Sequence, residues 1–281
     1  MTVKIVTDSL SDITSNLAAE LGITVVPLYV RFGEEIYRDR VEITSEDFYR
    51  RLVNESKLPS TTQPTPNDFA EVFKKLAQET DEILVIVVSS KLSGTFQSAT
   101  QAKDYVKGKC RIEIVDSLTV AMAEGLIVIS AVKAVKEGAN LAKVAEMARG
   151  AVSRSHLIAY FDTLKYLAKG GRIGKAQGLL GPLLSIKPIL TVRDGEMAPL
   201  TRVRSLSAGL DYFYNLVKGF SNIEGLAVEH ATTPDVADKL VERLGSLFPK
   251  ERIYRSVISP VIGTYAGPNA LALTILEAEK K

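Results

Sequence analysis

Two short stretches of this chain crowd small hydroxyl side chains into places where backbone N–H groups should be free. Ser89-Ser90-Lys91-Leu92-Ser93-Gly94-Thr95 follows the apolar run 83–88, and Ser60-Thr61-Thr62-Gln63-Pro64-Thr65-Pro66 lies between two helical patterns. A hydroxyl donates a hydrogen bond without carrying charge. A helix start at the end of a strand adds unpaired N–H groups and the positive end of the helix dipole. Such a combination suits a small anion, a carboxylate more than a nucleotide. Gly94 would let that anion approach the backbone. Ser93 reads equally well as a helix cap. Pro64 and Pro66 hold the residues before them extended and stiffen the loop. A plain connector accounts for the prolines but leaves the hydroxyls unexplained. Thr61 and Thr62 brought near Ser93 would form a head-group site of neutral donors, without an obvious base.

Other chemistries fit the residues less well. Ser93 has Lys91 where a nucleophile elbow needs glycine, and neither His156 nor His230 obviously pairs with it. A Ser93-dependent acyl hydrolase or acyltransferase therefore stays as the alternative. No G-x-G-x-x-G opens a helix. Gly174-Lys175-Ala176 departs from a phosphate loop, with Lys169 at the first glycine position and Ala176 where a metal-binding hydroxyl belongs. Two histidines and one cysteine do not make a zinc site of the usual kind. Asp8-Ser9, Asp116-Ser117 and Asp162-Thr163 each follow an apolar run and read as caps; no metal or cofactor is expected.

Composition narrows the class further. A net charge of +2 over 281 residues argues against a dedicated nucleic-acid binder. The single cysteine, Cys110, precludes an internal disulfide and suits a reducing compartment. The N-terminus runs straight into a strand pattern without a signal-peptide core. The longest apolar stretch, 179–192, is broken by Pro182, Lys187 and Pro188. A cytoplasmic location is the expectation.

Strand and helix patterns alternate through the first half. Strands are predicted at 4–6, 24–30, 83–88 and 111–115, and helices at 11–21, 45–52 (Ser45 as cap), 67–80, 93–106, 121–137 and 141–151. The six consecutive apolar residues at 83–88 read as a strand buried on both faces, the habit of a parallel sheet. In the second half, strands are predicted at 157–161, 189–192, 198–202, 226–229 and 253–258. Asp194-Gly195 forms a hairpin turn, Gly170-Gly171 closes a short helix from 164, and further helices are predicted at 207–220 and 235–248. A glycine-rich turn at 262–268 precedes a helix from Asn269. The fold class expected is α/β with two α/β domains, 1–150 around a parallel sheet flanked by helices and 151–281 around a mixed sheet, with the ligand between them.

The ordered set of motifs resembles the DegV family of bacterial fatty-acid-binding proteins across essentially the whole chain. It runs through Thr7-Asp8-Ser9-Leu10-Ser11-Asp12, Thr61-Thr62-Gln63-Pro64-Thr65 and residues 89–99 to Val115-Asp116-Ser117 and 163–173. It continues in Ile186-Lys187-Pro188-Ile189-Leu190, Asp194-Gly195, Arg202-Val203-Arg204 and Ile262-Gly263-Thr264. The resemblance implies a two-domain protein, not itself an enzyme, that holds a long-chain, palmitate-like fatty acid between its domains. Its carboxylate would sit against Thr61 or Thr62 and Ser93, with the Gly94 amide assisting. It also implies lipid transport, or presentation of the acyl chain to a separate ATP-binding fatty acid kinase subunit. Tyr265 stands where the family usually has histidine, which bears on that partnership; its hydroxyl can still donate.

For such a ligand the tail would carry the affinity: burying about 14 methylenes at ~0.8 kcal/mol each gives roughly 11 kcal/mol. Candidate lining residues are Ile158, Leu164, Leu167, Leu179, Leu180, Leu183, Leu184, Ile186 and Ile189. Lys165, Lys169, Arg172 and Lys175 cluster around the Gly170-Gly171 turn. Arg172, Arg202 and Arg204 are the candidates for a partner surface, with Arg172 expected outside the tail cavity.

Overall fold

The alternation of strand and helix sorts into layers. In the computed structural model, which describes residues 3–106, 108, 110–180 and 186–279, four strands form an all-parallel sheet. These are β1 (Lys4–Asp8), β2 (Ile23–Val26), β6 (Glu82–Val87) and β7 (Arg111–Asp116), in the order β2-β1-β6-β7. Every residue of β6 is buried, because helices cover both faces of the sheet. Phe69 and Phe73 of α3 (Pro66–Leu76), with Ala99 and Ala102 of α4 (Thr95–Ala102), pack on one face. Helices α5 (Met122–Lys136) and α6 (Leu141–Val152) pack on the other.

Six strands make the second sheet, a mixed one ordered β10-β9-β8-β13-β11-β12. They are β8 (Ser155–Tyr160), β9 (Lys187–Arg193), β10 (Glu196–Val203), β11 (Ile223–His230), β12 (Ile253–Val257) and β13 (Leu271–Glu277). Only β11 and β12 pair in parallel, joined through α9 (Pro234–Leu244). Phe213 and Val217 of α8 (Leu206–Lys218), with Leu240 and Val241 of α9, cover the outer face. The inner face meets α5. That helix is largely apolar and buried over its first two turns, as a helix packed between two sheets must be, with Lys133 and Lys136 reaching solvent near its end. Its cluster includes Ala227 and Leu276 of the second sheet. A small antiparallel sheet, β4 (Glu35–Arg38), β3 (Tyr29–Phe32) and β5 (Ser60–Thr62), adds a third element. Among the described residues, no helix is long and apolar enough to cross a membrane.

Several expectations need correction. The helix predicted from Asn269 is β13: Leu, Ala and Glu favour a helix locally, but the segment fills the slot between β8 and β11, where strand pairing decides. The glycine-rich turn at 262–268 is mostly helix α10 (Pro260–Ala266). The strand predicted over 24–30 divides at Pro27 into β2 and β3, which join different sheets. The helix predicted from 11 begins at Ser15 as α1 (Ser15–Leu21), after a 3-10 turn over Ser9–Ser11 that Asp12 ends at φ 51°. Thr44, not Ser45, caps α2 (Ser45–Asn54), its hydroxyl accepting the Asp47 N–H at 3.1 Å. The helix expected over 93–106 is α4 followed by a 3-10 turn. The Asp194-Gly195 hairpin stands as read, with φ of 54° and 83°, as its two-residue turn requires.

Candidate functional site

An apolar cleft opens where the inner face of the second sheet runs past the end of α5. Leu157, Ala159 and Phe161 project into it from β8 and the residue after it, and Ala270, Leu271 and Ala272 come from the start of β13. Ala159 and Ala272 are direct cross-strand partners, so two small residues face each other where larger ones would close the space. Val261, Ile262, Tyr265 and Ala266 present one side of α10. Leu10, Leu92 and Val120 reach in from the loops at the carboxyl edge of the parallel sheet, and Leu167 from α7 (Lys165–Lys169). The cleft holds a cavity of about 90 Å3.

Polar groups gather at one end. Arg172 and Tyr265 line the cleft and also an adjoining pocket with Ser60, Thr61, Tyr166, Lys169 and Thr264. The Arg172 guanidinium stacks 5.3 Å from the Tyr265 ring centre, and its Nη1 donates to Gly170 O at 2.9 Å. The Thr61 and Tyr265 hydroxyls hydrogen-bond each other. A side chain at Gly170 would strike the Tyr265 ring, so glycine there lets the ring lie against the turn. The loop carrying Thr61 also reaches the other hydroxyl turn, because the Gln63 amide packs directly over Gly94. Ser93 Oγ lies 2.8 Å from Thr95 Oγ1 and accepts the Thr95 N–H at 3.3 Å. Among the described residues Ser93 hydrogen-bonds no histidine or carboxylate.

Beneath the cleft lies a cluster of buried acids. At the crevice where the parallel strand order reverses, between β1 and β6, Asp8 accepts the Val88 N–H and the Leu10 N–H, each at 2.8 Å. Burial pushes its carboxyl up to about 7 against those two bonds. Burial likewise lifts Asp39 to about 7, opposed chiefly by the nearby Arg40 and by the Ser9 hydroxyl, which donates at 2.7 Å. Asp12 is also raised by burial, with Arg40 opposing at 3.0 Å. Glu124 and Glu229 are held well above the usual carboxylate range, again by burial. Glu229 accepts the Met122 N–H at the start of α5. The Glu229 and Asp12 carboxyls lie within reach of each other, and Asp12 Oδ2 has no hydrogen-bond partner among the described residues.

The residues singled out from sequence distribute unevenly. Thr61 and Tyr265 meet in one pocket, and Gln63 of the Thr61 loop packs over Gly94, while Ser93 and Gly94 line neither the cleft nor that pocket. Thr62 alternates to the opposite side of β5, exposed and paired with Tyr29. Arg172 is not outside the cavity as expected: it lines the polar end. Arg202 belongs to a separate groove with Asp162, Lys165, Leu179, Leu180, Ile186 and Lys187, and Arg204 is exposed after β10. Of the expected lining residues Leu167 is in the cleft. Ile158 and Ile189 are turned to the outer face of the second sheet, one residue out of phase with Leu157 and Ala159. Leu164, Leu179, Leu180 and Ile186 line the separate groove, while Leu183 and Leu184 lie outside the described residues. His156 pairs with Glu277 at 2.7 Å. Sequence reasoning missed the α10 wall and the acid cluster. Small residues at i and i+2 in apolar strands signal the first, and single acids inside apolar runs, Glu124 and Glu229, signal the second.

Comparison with known proteins covers the chain almost end to end. The DegV family model matches residues 2–278. A DegV domain-containing protein of Caldanaerobacter subterraneus subsp. tengcongensis is 38% identical over 272 residues, covering 95% of this chain and 96% of the relative. Among solved structures, a DegV family protein of Thermus thermophilus, described by its fatty acid binding, is 33% identical with a TM-score of 0.89, covering 99% of this chain and 100% of that one. DegV of Bacillus subtilis, described as a fatty acid binding protein, is 29% identical with a TM-score of 0.90 and the same coverage.

Proposed function

Because this chain belongs to the DegV family, we propose that its cleft binds one long-chain fatty acid, palmitate-like, between an N-terminal α/β domain (1–150) and a C-terminal one (151–281). One observation carries the reading: a cleft that is apolar along its length and gathers its polar atoms at a single end. The solved relatives described as fatty acid binding proteins support it. The tail runs between Leu157, Ala159 and Ala272 on one side and Val261, Ile262 and Ala266 on the other. The carboxylate meets the Thr61 and Tyr265 hydroxyls, with Ser93 and the Gly94 amide across the loop and Arg172 as the cation. Thr62 contributes by holding β5 against β3. A charge-assisted hydrogen bond is about twice as strong as a neutral one, which favours an ionised head group here.

The cleft at rest has room for only a few waters, so a long acyl chain must part its walls on entry. Carrying or presenting the lipid suits this site better than transforming it, because Ser93 is hydrogen-bonded to Thr95 rather than to a base. Lys169 and Arg172 beside the head group suit presentation to a separate fatty acid kinase subunit, with Arg202 and Arg204 on the outer partner surface. Native mass spectrometry of protein purified from cells tests the reading. One intact fatty acid per chain is the expected result. A ligand-free protein that neither binds oleate or palmitate in calorimetry nor retains lipid overturns it.

A further inference from the structure

The wall formed by Ile258 and Val261 is held from behind by polar groups of the first 50 residues. The corner between β12 and α10 is gripped at four successive residues. Ser256 Oγ donates to the Asp12 carbonyl at 2.6 Å, and the Arg40 guanidinium donates to the Val257 carbonyl. Tyr49 Oη donates to the Ile258 carbonyl at 3.1 Å, and Asp12 Oδ1 accepts the Ser259 N–H at 3.2 Å. Arg40 also bonds Asp12 Oδ1 at 3.0 Å and the Ile13 carbonyl at 3.3 Å, so one guanidinium ties two distant segments together. Arg40 itself sits at φ 59°, a backbone setting that a non-glycine residue adopts only when its surroundings impose it. Asp39 and Glu229 face the same groups, and the Val261 N–H acts on the Asp39 carboxyl.

Beyond this corner α10 runs as a single short rod. Its first turn carries Val261 and Ile262 into the cleft, and its last turn carries Tyr265 to the Thr61 hydroxyl. Whatever fixes the corner therefore fixes both the width of the tail channel and the distance from that channel to the head group. We propose that Arg40, Asp12 and Tyr49 are positioning residues for the acyl cleft, setting through the 256–261 corner and α10 which chain lengths the protein accepts. None of the three belongs to the polar end of the cleft. The proposal rests on the fatty-acid reading of that cleft.

The test compares affinities of the full-length protein for myristate, palmitate and stearate by calorimetry, in wild type, Arg40→Met, Tyr49→Phe and Asp12→Asn, with thermal stability measured alongside. A slackened corner changes the ratio of affinities along the series by about threefold to thirtyfold, the usual range for coupling through a packed network. Arg40→Met and Tyr49→Phe are expected to change that ratio. Asp12→Asn, which keeps the acceptor for Ser259 and Arg40, is expected to retain it. Should Arg40→Met fail to fold because Asp12 loses its counter-charge, Tyr49→Phe decides, since it deletes one hydroxyl. Affinities that fall equally for all three chains, or a ratio unchanged in Tyr49→Phe, overturn the proposal. A wild type that binds none of the three instead removes the fatty-acid reading, so the two failures are told apart.

Discussion

The two sheets contribute to the cleft in opposite ways. The parallel sheet is sealed on both faces, and what it offers comes from the loops at its carboxyl edge: Leu10, Leu92 and Val120. The mixed sheet offers a face. Leu157, Ala159 and Ala272 project from strand interiors, and pairing rather than loop conformation sets their spacing. A parallel sheet covered by helices can present chemistry only where its strands end. A largely antiparallel sheet can leave part of one face uncovered and so line a channel for something long and apolar. The apolar wall thus follows from the mixed sheet's pairing, whereas the polar end is supplied by neither large sheet but by Thr61 of β5, Tyr265 of α10 and Arg172.

Filling the face should have the largest effect. Ala159→Leu places new methylenes opposite Ala272 and should cut palmitate affinity by about tenfold to hundredfold, a typical penalty for added bulk in a fitted pocket. Calorimetry checks it, and undiminished affinity would mean the tail lies elsewhere. Emptying the loop end comes next: Ser93→Ala with Thr61→Ala should weaken binding by about 1–3 kcal/mol through lost bonds to a charged group. The fold should survive, and equal affinity would separate the hydroxyls from the head group. Reversing Arg172 to Glu should weaken carboxylate binding by about 1 kcal/mol or less at this exposed position, more at low salt than at high. An effect on docking of a kinase subunit with no effect on lipid would return the arginine to a partner surface.

The acid cluster gives a further test, of stability rather than affinity, with a definite sign. Asp8 and Asp39 carry folded-state values near 7 against an ordinary value of 3.8. The folded state thus holds their protons more tightly than the unfolded chain does. Their contribution to stability is complete below about 4 and is lost as pH rises through about 7. Thermal melts of wild type and Asp39→Asn across that window should converge at low pH and separate as pH rises, with the variant losing less. Parallel curves would remove Asp39 from the pH response.

The fold was legible where pattern and pairing agree. The apolar run 83–88 reads as an inner strand and falls in β6, and Asp194-Gly195 reads as the turn it makes. It was illegible where the partner decides. Residues 271–277 carry helix-forming side chains into a strand slot, and the choice between Leu157 and Ile158 as the inner face depends on which side α5 occupies. Thr61 and Tyr265, whose hydroxyls bond each other at the polar end, stood out in the sequence by type. The acid cluster did not, because Asp8, Asp12, Asp39, Glu124 and Glu229 lie scattered along the chain and meet only in three dimensions.

One helix, α5, packs between the two sheets, wholly buried from Met122 to Ile129, with Lys133 and Lys136 exposed near its far end. A part shared in this way belongs to neither neighbour, so the sheets lack the independence that lets modules be exchanged or expressed alone. Cutting the chain near residue 150 would strip the second sheet of the helix that covers its inner face and leave that helix, on the first, with an apolar flank open to water. The intact protein should accordingly lose its structure in one calorimetric step, with enthalpy matching the van't Hoff value, and motion between the sheets should be confined to the ends that α5 does not reach, where the cleft is.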